Sequence, residues 1–267
     1  MPVSLPAPFG GRAPEERSLP SSPLEAVVVQ SRFSSVLSID QKEGLIPFQE
    51  RARKQYPLFE QAMAQSLQMD IGVQAPVFRP VTTHVWRLMD PTKNFVVSLT
   101  SDAITLETRA YPGRADFMSR WTELLGWVEE VFSPGLSLRL GIRYLNRLSG
   151  DDIGHLPEWV IPNLIGVALP EYREHVTQAI SEANVAVEEG QLLMRWGILP
   201  PNLTIAPGML DPVPTSSWLL DLDASCEQQT EFCALDLATA CERLSERVYS
   251  VFRWAITETG LKHFERV

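Results

Sequence analysis

Three strand-like runs joined by very short turns constrain this chain most. They are "THVWRLMD" (83–90), "FVVSLT" (95–100) and "AITLETRAY" (103–111). Asp90, Pro91 and Thr92 mark the first turn, and Ser101-Asp102 the second. Connections this short cannot make the crossover that parallel neighbours need, so adjacent antiparallel strands are predicted.

The flanking segments extend the pattern. "PLEAVVVQSRF" carries Val27, Val29 and Ser31 in alternation with Val28, Gln30 and Arg32, which predicts a strand. Phe48, Ala52, Tyr56, Phe59 and Met63 recur at helical spacing, with Pro57 as a kink or as the start of a second helix. Phe117, Trp121, Leu124, Leu125, Val128 and Phe132 form the apolar stripe of a helix that Ser133, Pro134 and Gly135 end.

The second half repeats the order. A strand over 137–149 is followed by a short helical piece interrupted by Pro162. A hairpin over 175–188 and 190–199 comes next, then a strand over 217–228. The last helix buries Leu235, Ala238, Cys241, Leu244, Val248, Val251 and Phe252. Each half reads β-α-β-β-β-α, over about 23–134 and 135–267, although no sequence identity links them. The expected fold is α+β: one domain over 23–267, a single mainly antiparallel sheet, helices on one face and the other face open. Two segments stand apart. Residues 1–22, rich in Pro, Gly and Ser, predict a disordered arm. "PPNLTIAPGMLDPVPTSS" (200–217) holds five prolines, too long a link for a simple hairpin. It is either a disordered insertion or a functional lid.

The open face carries the candidate chemistry. Along 137–149, Leu138, Leu140, Ile142, Tyr144 and Asn146 share the core face. Arg139, Gly141, Arg143, Leu145 and Arg147 share the other. Three guanidiniums on one strand suit an anion or carboxylate clamp. They suit still better pairing with acids on neighbouring strands, such as Asp221 and Asp223, or Glu107 beside Arg109. Asp221-x-Asp223 has the oxygen donors a divalent ion takes, but the arginines compete for them and no metal is expected.

Other chemistry lacks its signature. His84, His155, His175 and His263 show no metal-ligand spacing. No G-x-S-x-G, P-loop or G-x-G-x-x-G occurs, and no cofactor is indicated. Cys226, Cys233 and Cys241 are odd in number and lack C-x-x-C spacing, which points to neither disulfides nor zinc and to a reducing, cytoplasmic setting. No leader pattern is seen, and no run reaches the ~18–20 apolar residues of a membrane span. A net charge of −10 opposes nucleic acid as a sole direct ligand.

The residues also carry a resemblance. "PLEAVVVQSRF", "LRLGIRYLNRL" and "LLDLD" followed by "FRWAITETGLKHF" occur in that order. Together they resemble a sporadically distributed family of uncharacterised prokaryotic proteins of about this length, whose typical motifs are a Leu-Arg-Tyr-Ile/Leu-Asn strand and a late Leu-Asp-x-Asp. The likeness covers roughly residues 22–265. It implies no activity. The patchy distribution is similar to that of accessory or defence-related genes. The expected function is a non-enzymatic interaction module with a protein partner or with itself, an accessory subunit of a prokaryotic defence-type system. Arg143 and Leu145 are the positions expected to meet that partner. The alternative is an enzyme or small-molecule binder using Arg139, Arg143, Arg147, Asp221 and Asp223 on the open face. RNA handling is a third reading that the charge opposes.

Overall fold

The computed structural model describes residues 5–71, 76–168, 172, 175–227 and 229–266. Its first half runs β1 (Leu24–Phe33), α1 (Lys42–Ala52), β2 (Leu58–Ile71), β3 (Pro76–Met89), β4 (Phe95–Thr100), β5 (Ala103–Thr108) and α2 (Arg114–Phe132). Its second half runs β6 (Leu136–Ser149), the one-turn helices α3 (Leu156–Trp159) and α4 (Pro162–Ile165), β7 (Ala179–Val187), β8 (Gly190–Leu199), β9 (Ser217–Cys226), β10 (Thr230–Glu231), α5 (Ala234–Ala255) and α6 (Glu258–Phe264).

The strands make one sheet in the order β2-β3-β4-β5-β1-β6-β9-β8-β7, with β10 added on β6. All the pairings are antiparallel. The fold is therefore α+β on a single open antiparallel sheet. The β1–β6 pair joins the halves at the centre, with β5 and β9 outside it. The order alone does not establish a duplication, since β2 and β10 have no counterparts.

Alternation explains the core. Val27, Val29, Val97, Leu99, Ile104, Leu106, Ile142, Leu220, Leu222 and Ala224 come from one face of the sheet and are fully buried. Helices α2 and α5 cover that face with Phe117, Trp121, Leu124, Leu125 and Val128, and with Cys241, Leu244, Val248 and Val251. Fully burying one such side chain contributes about 1.5–3 kcal/mol. Helix α2 ends at Phe132, where Ser133 turns left-handed at φ 44°.

Three expectations need correction. The helix expected through Phe48 and Met63 stops at Ala52, and Phe59 and Met63 lie on β2. A spacing of four residues fits both a helical face and a strand face, because four is even. Pro57 removes the hydrogen bond that would have carried the helix on. Second, the N-terminal arm is not a free tail from residue 5 onward. The Arg247 guanidinium, 3% exposed, donates to the carbonyls of Pro8 and Gly11 and to both oxygens of Glu189 at 2.7–2.8 Å. Phe9 packs on Trp254, and the Arg17 N–H donates to the Tyr249 hydroxyl. A segment too polar and Pro-rich to build a core still supplies the acceptors that a buried arginine needs. Third, the sheet face opposite the helices is not open throughout. The Pro-rich loop folds back over Ala26, Leu145, Leu199 and Leu219, and seals them with Ala206 and Leu210.

Candidate functional site

Strands β6 and β9 set the register of the Arg/Asp cluster. Arg143 lies opposite Asp223, and Leu145 opposite Asp221. The Arg143 side chain reaches diagonally to Asp221. Its Nε donates to Oδ1 and its Nη2 to Oδ2, both at 2.7 Å. This is a bidentate fork, the strongest geometry available to the pair. Asp221 is 1% exposed. Arg195, opposite it on β8, stands 3.7 Å away and donates to Glu182 at 2.6 Å.

The other two arginines go elsewhere. Arg139 lies 3.7 Å from Asp223 and 3.8 Å from Glu227. Its guanidinium folds over Gly141, where an added Cβ would come within 2.8 Å of it. Burial pushes the Asp223 carboxyl up, partly offset by Arg139 and Arg143. Arg147 is nearly buried and donates to Glu25 at 3.2 Å and to the Asp211 carbonyl at 2.6 Å. Glu25 is the extra residue at the β1 irregularity between Leu24 and Ala26, which re-aims its side chain. Arg109, at the end of β5, donates to Asp211 at 2.6 Å and to the Gly208 carbonyl at 2.7 Å.

The structure thus brings Arg139, Arg143, Asp221 and Asp223 together as a ladder of ion pairs and diverts Arg147 to the loop. The fully buried Leu145 presents nothing to a partner, which corrects its assignment as a binding residue. A lone leucine on a charged face was the signal that something covers it. Among the described residues no group of three or more His, Cys, Asp or Glu side chains is placed to hold a metal. His155, Trp159 and His263 stack face to face at 4.8 and 4.1 Å between centroids. Cys241 is fully buried, and burial pushes its thiol up.

A second site lies on the helix side of the sheet, where sequence reasoning placed only core. A cavity of about 590 Å³ opens between the arm (Glu16–Leu19), the β5–α2 connection (Tyr111), β6 (Tyr144, Asn146) and α5 (Tyr249). The Tyr144 hydroxyl is bonded to Ser245 Oγ at 2.8 Å and to the Tyr111 hydroxyl at 3.2 Å. Burial raises both phenols, that of Tyr144 up to about 12, so both stay neutral near pH 7. Asn146, also buried, donates from Nδ2 to the Leu220 carbonyl at 3.1 Å. Tyr144 and Asn146 belong to "LGIRYLNRL". Polar groups two apart on the core face of a strand were the available signal for this site.

No protein-family model matches the chain, and no curated protein is found to be similar to it.

Proposed function

We propose that this chain is a non-catalytic protein-interaction module that engages its partner through the β2–β3 hairpin. The observation that carries the reading is the pairing of β3. It meets β4 only over Trp86–Met89, while β2 and β3 pair with each other along fourteen residues each. Residues 76–85 therefore run past the strand that anchors them, a reach of roughly 30 Å at the usual strand rise. At the base of this arm Phe59 is 46% and Met63 67% exposed. Apolar side chains on a two-stranded arm gain from a partner what an isolated hairpin lacks.

The Arg/Asp cluster supports the same reading by its chemistry. At its centre Arg143 and Asp221 already satisfy one another, so an anion arriving there would have to break a bidentate pair. This weighs against the enzyme alternative at that face. The setting we propose is that of an accessory subunit in a prokaryotic defence-type assembly, in keeping with the resemblance above.

The test is affinity purification from the native host with wild-type bait, a Phe59→Ser/Met63→Arg double variant, and an Arg195→Lys control on the sheet face. The expected result is one protein recovered in stoichiometric amount with wild type and the control, and lost with the double variant. Equal recovery with all three baits, or no stoichiometric partner and a monomer by light scattering, overturns the proposal.

A further inference from the structure

The cavity beneath the N-terminal arm goes beyond an interaction role, and its hydrogen-bond ledger defines what it would take. Ser245, 1% exposed, has the Tyr144 hydroxyl as its one hydrogen-bond partner among the described residues. A buried hydroxyl proton left without an acceptor is costly, so Ser245 donates to Tyr144. Tyr144 then donates to Tyr111, since its other neighbour is already donating. The Tyr111 proton ends the chain with no acceptor among the described residues, at the cavity wall.

Asn146 supplies the complementary group. With Nδ2 committed to the Leu220 carbonyl, Oδ1 of this 3% exposed, cavity-lining residue has no donor among the described residues. Opposite the arm, the wall made by Tyr111, Tyr144 and Asn146 therefore offers one hydrogen-bond donor and one acceptor. Around them stand the rings of Tyr111, Tyr144, Tyr249 and Phe252.

The charged groups at the rim all have partners, Glu16 lying 3.7 Å from Arg114. Arg17 is held by Glu258 and Glu265 at 3.2 and 3.3 Å. Arg109 is held by Asp211 and the Gly208 carbonyl. Neither guanidinium is free to receive a carboxylate or phosphate. The volume lies within the range of small-molecule pockets, about 300–1,000 Å³.

We propose that this cavity binds a small, uncharged, planar ligand bearing an amide-type edge, with a carbonyl oxygen that accepts from Tyr111 and an N–H that donates to Asn146. The inference stands independently of the hairpin. The partner can be real and the cavity idle, or the reverse.

Isothermal titration of the full-length protein with nicotinamide, uracil and adenine, and with nicotinate as the charged counterpart, tests it. The expected result is saturable one-site binding of at least one neutral probe and none of nicotinate. Tyr111→Phe weakens that binding about tenfold, the loss of one hydrogen bond. Leu19→Trp fills the cavity from the arm, at a partly buried position on the outer edge of the core, and abolishes binding while the cooperative melting transition is retained. No binding of any neutral probe at millimolar concentration overturns the proposal. So does nicotinate binding as well as nicotinamide, or wild-type affinity in both variants.

Discussion

Asp221 shows how much one residue depends on its partner here. It is an almost fully buried carboxylate whose two oxygens are both occupied by Arg143. Replacing Arg143 by Ala removes both hydrogen bonds to that charge and leaves it only Arg195, 3.7 Å away, so a loss of about 3–5 kcal/mol is expected in urea unfolding. Replacing the pair together, Arg143→Met with Asp221→Leu, is expected to cost clearly less than Arg143→Ala alone. If the double variant is the worse of the two, the pair is not the origin of the loss. Asp223 adds a pH dependence. Its folded pKa lies above the unfolded value, so the folded state binds its proton more tightly. The associated stability is present below the unfolded pKa, near 3.8, and is lost as pH rises through the folded value. Asp223→Asn cannot show that loss. The melting temperature of the variant relative to wild type should therefore be higher at pH 6 than at pH 3.5.

At the scale of elements, the two segments that looked most disposable are both fastened down. The loop over 200–217 closes a small apolar cluster through Ala206 and Leu210 and receives Arg109 and Arg147. Leu210→Ala is expected to destabilise by about 2–4 kcal/mol, as for a buried leucine, rather than the few tenths typical of a free loop. The arm depends on Arg247. Arg247→Met removes the donors to Pro8 and Gly11. Limited trypsin digestion should then cut at Arg12 and Arg17 faster than in wild type, with the domain itself intact. Unchanged digestion would mean that Phe9 on Trp254 and the Arg17 contacts hold the arm alone.

For the whole molecule, the halves are legible as patterns but not separable as bodies. Strand β1 pairs with β6 over nearly its full length, and α2 packs against α5. Residues 23–134 expressed alone would bare the edge of β1 and the apolar flank of α2. Neither half is expected to give a cooperative melting transition, whereas co-expression of both should restore one. A cooperative transition from either half alone would show that the central seam is dispensable.

What the sequence by itself determined is local. Short turns after Asp90 and at Ser101-Asp102 dictate antiparallel neighbours, and period-two and period-3.6 patterns dictate which side of β1, β4, α2 and, from Cys241 onward, α5 is buried, whereas Leu235, expected on the buried face, lies in the first turn of α5 and is 69% exposed. Where one spacing serves both periods, as at Phe59 and Met63, pattern alone misassigned the element. The tertiary structure decided everything that depends on partners distant in the chain. Arg143 and Asp221 are 78 residues apart, Arg147 and Asp211 are 64, and Arg247 and Pro8 are 239. Nothing in the spacing around Arg139, Arg143 and Arg147 says which acceptor each will reach, because a guanidinium binds any carboxylate or carbonyl brought near it. Likewise Tyr144 and Asn146 read as core until the arm, α5 and the β5–α2 connection close around them and leave a cavity. Burial patterns follow from solvent, which acts on each residue separately. Pairing and enclosure follow from topology, which acts on the chain as a whole.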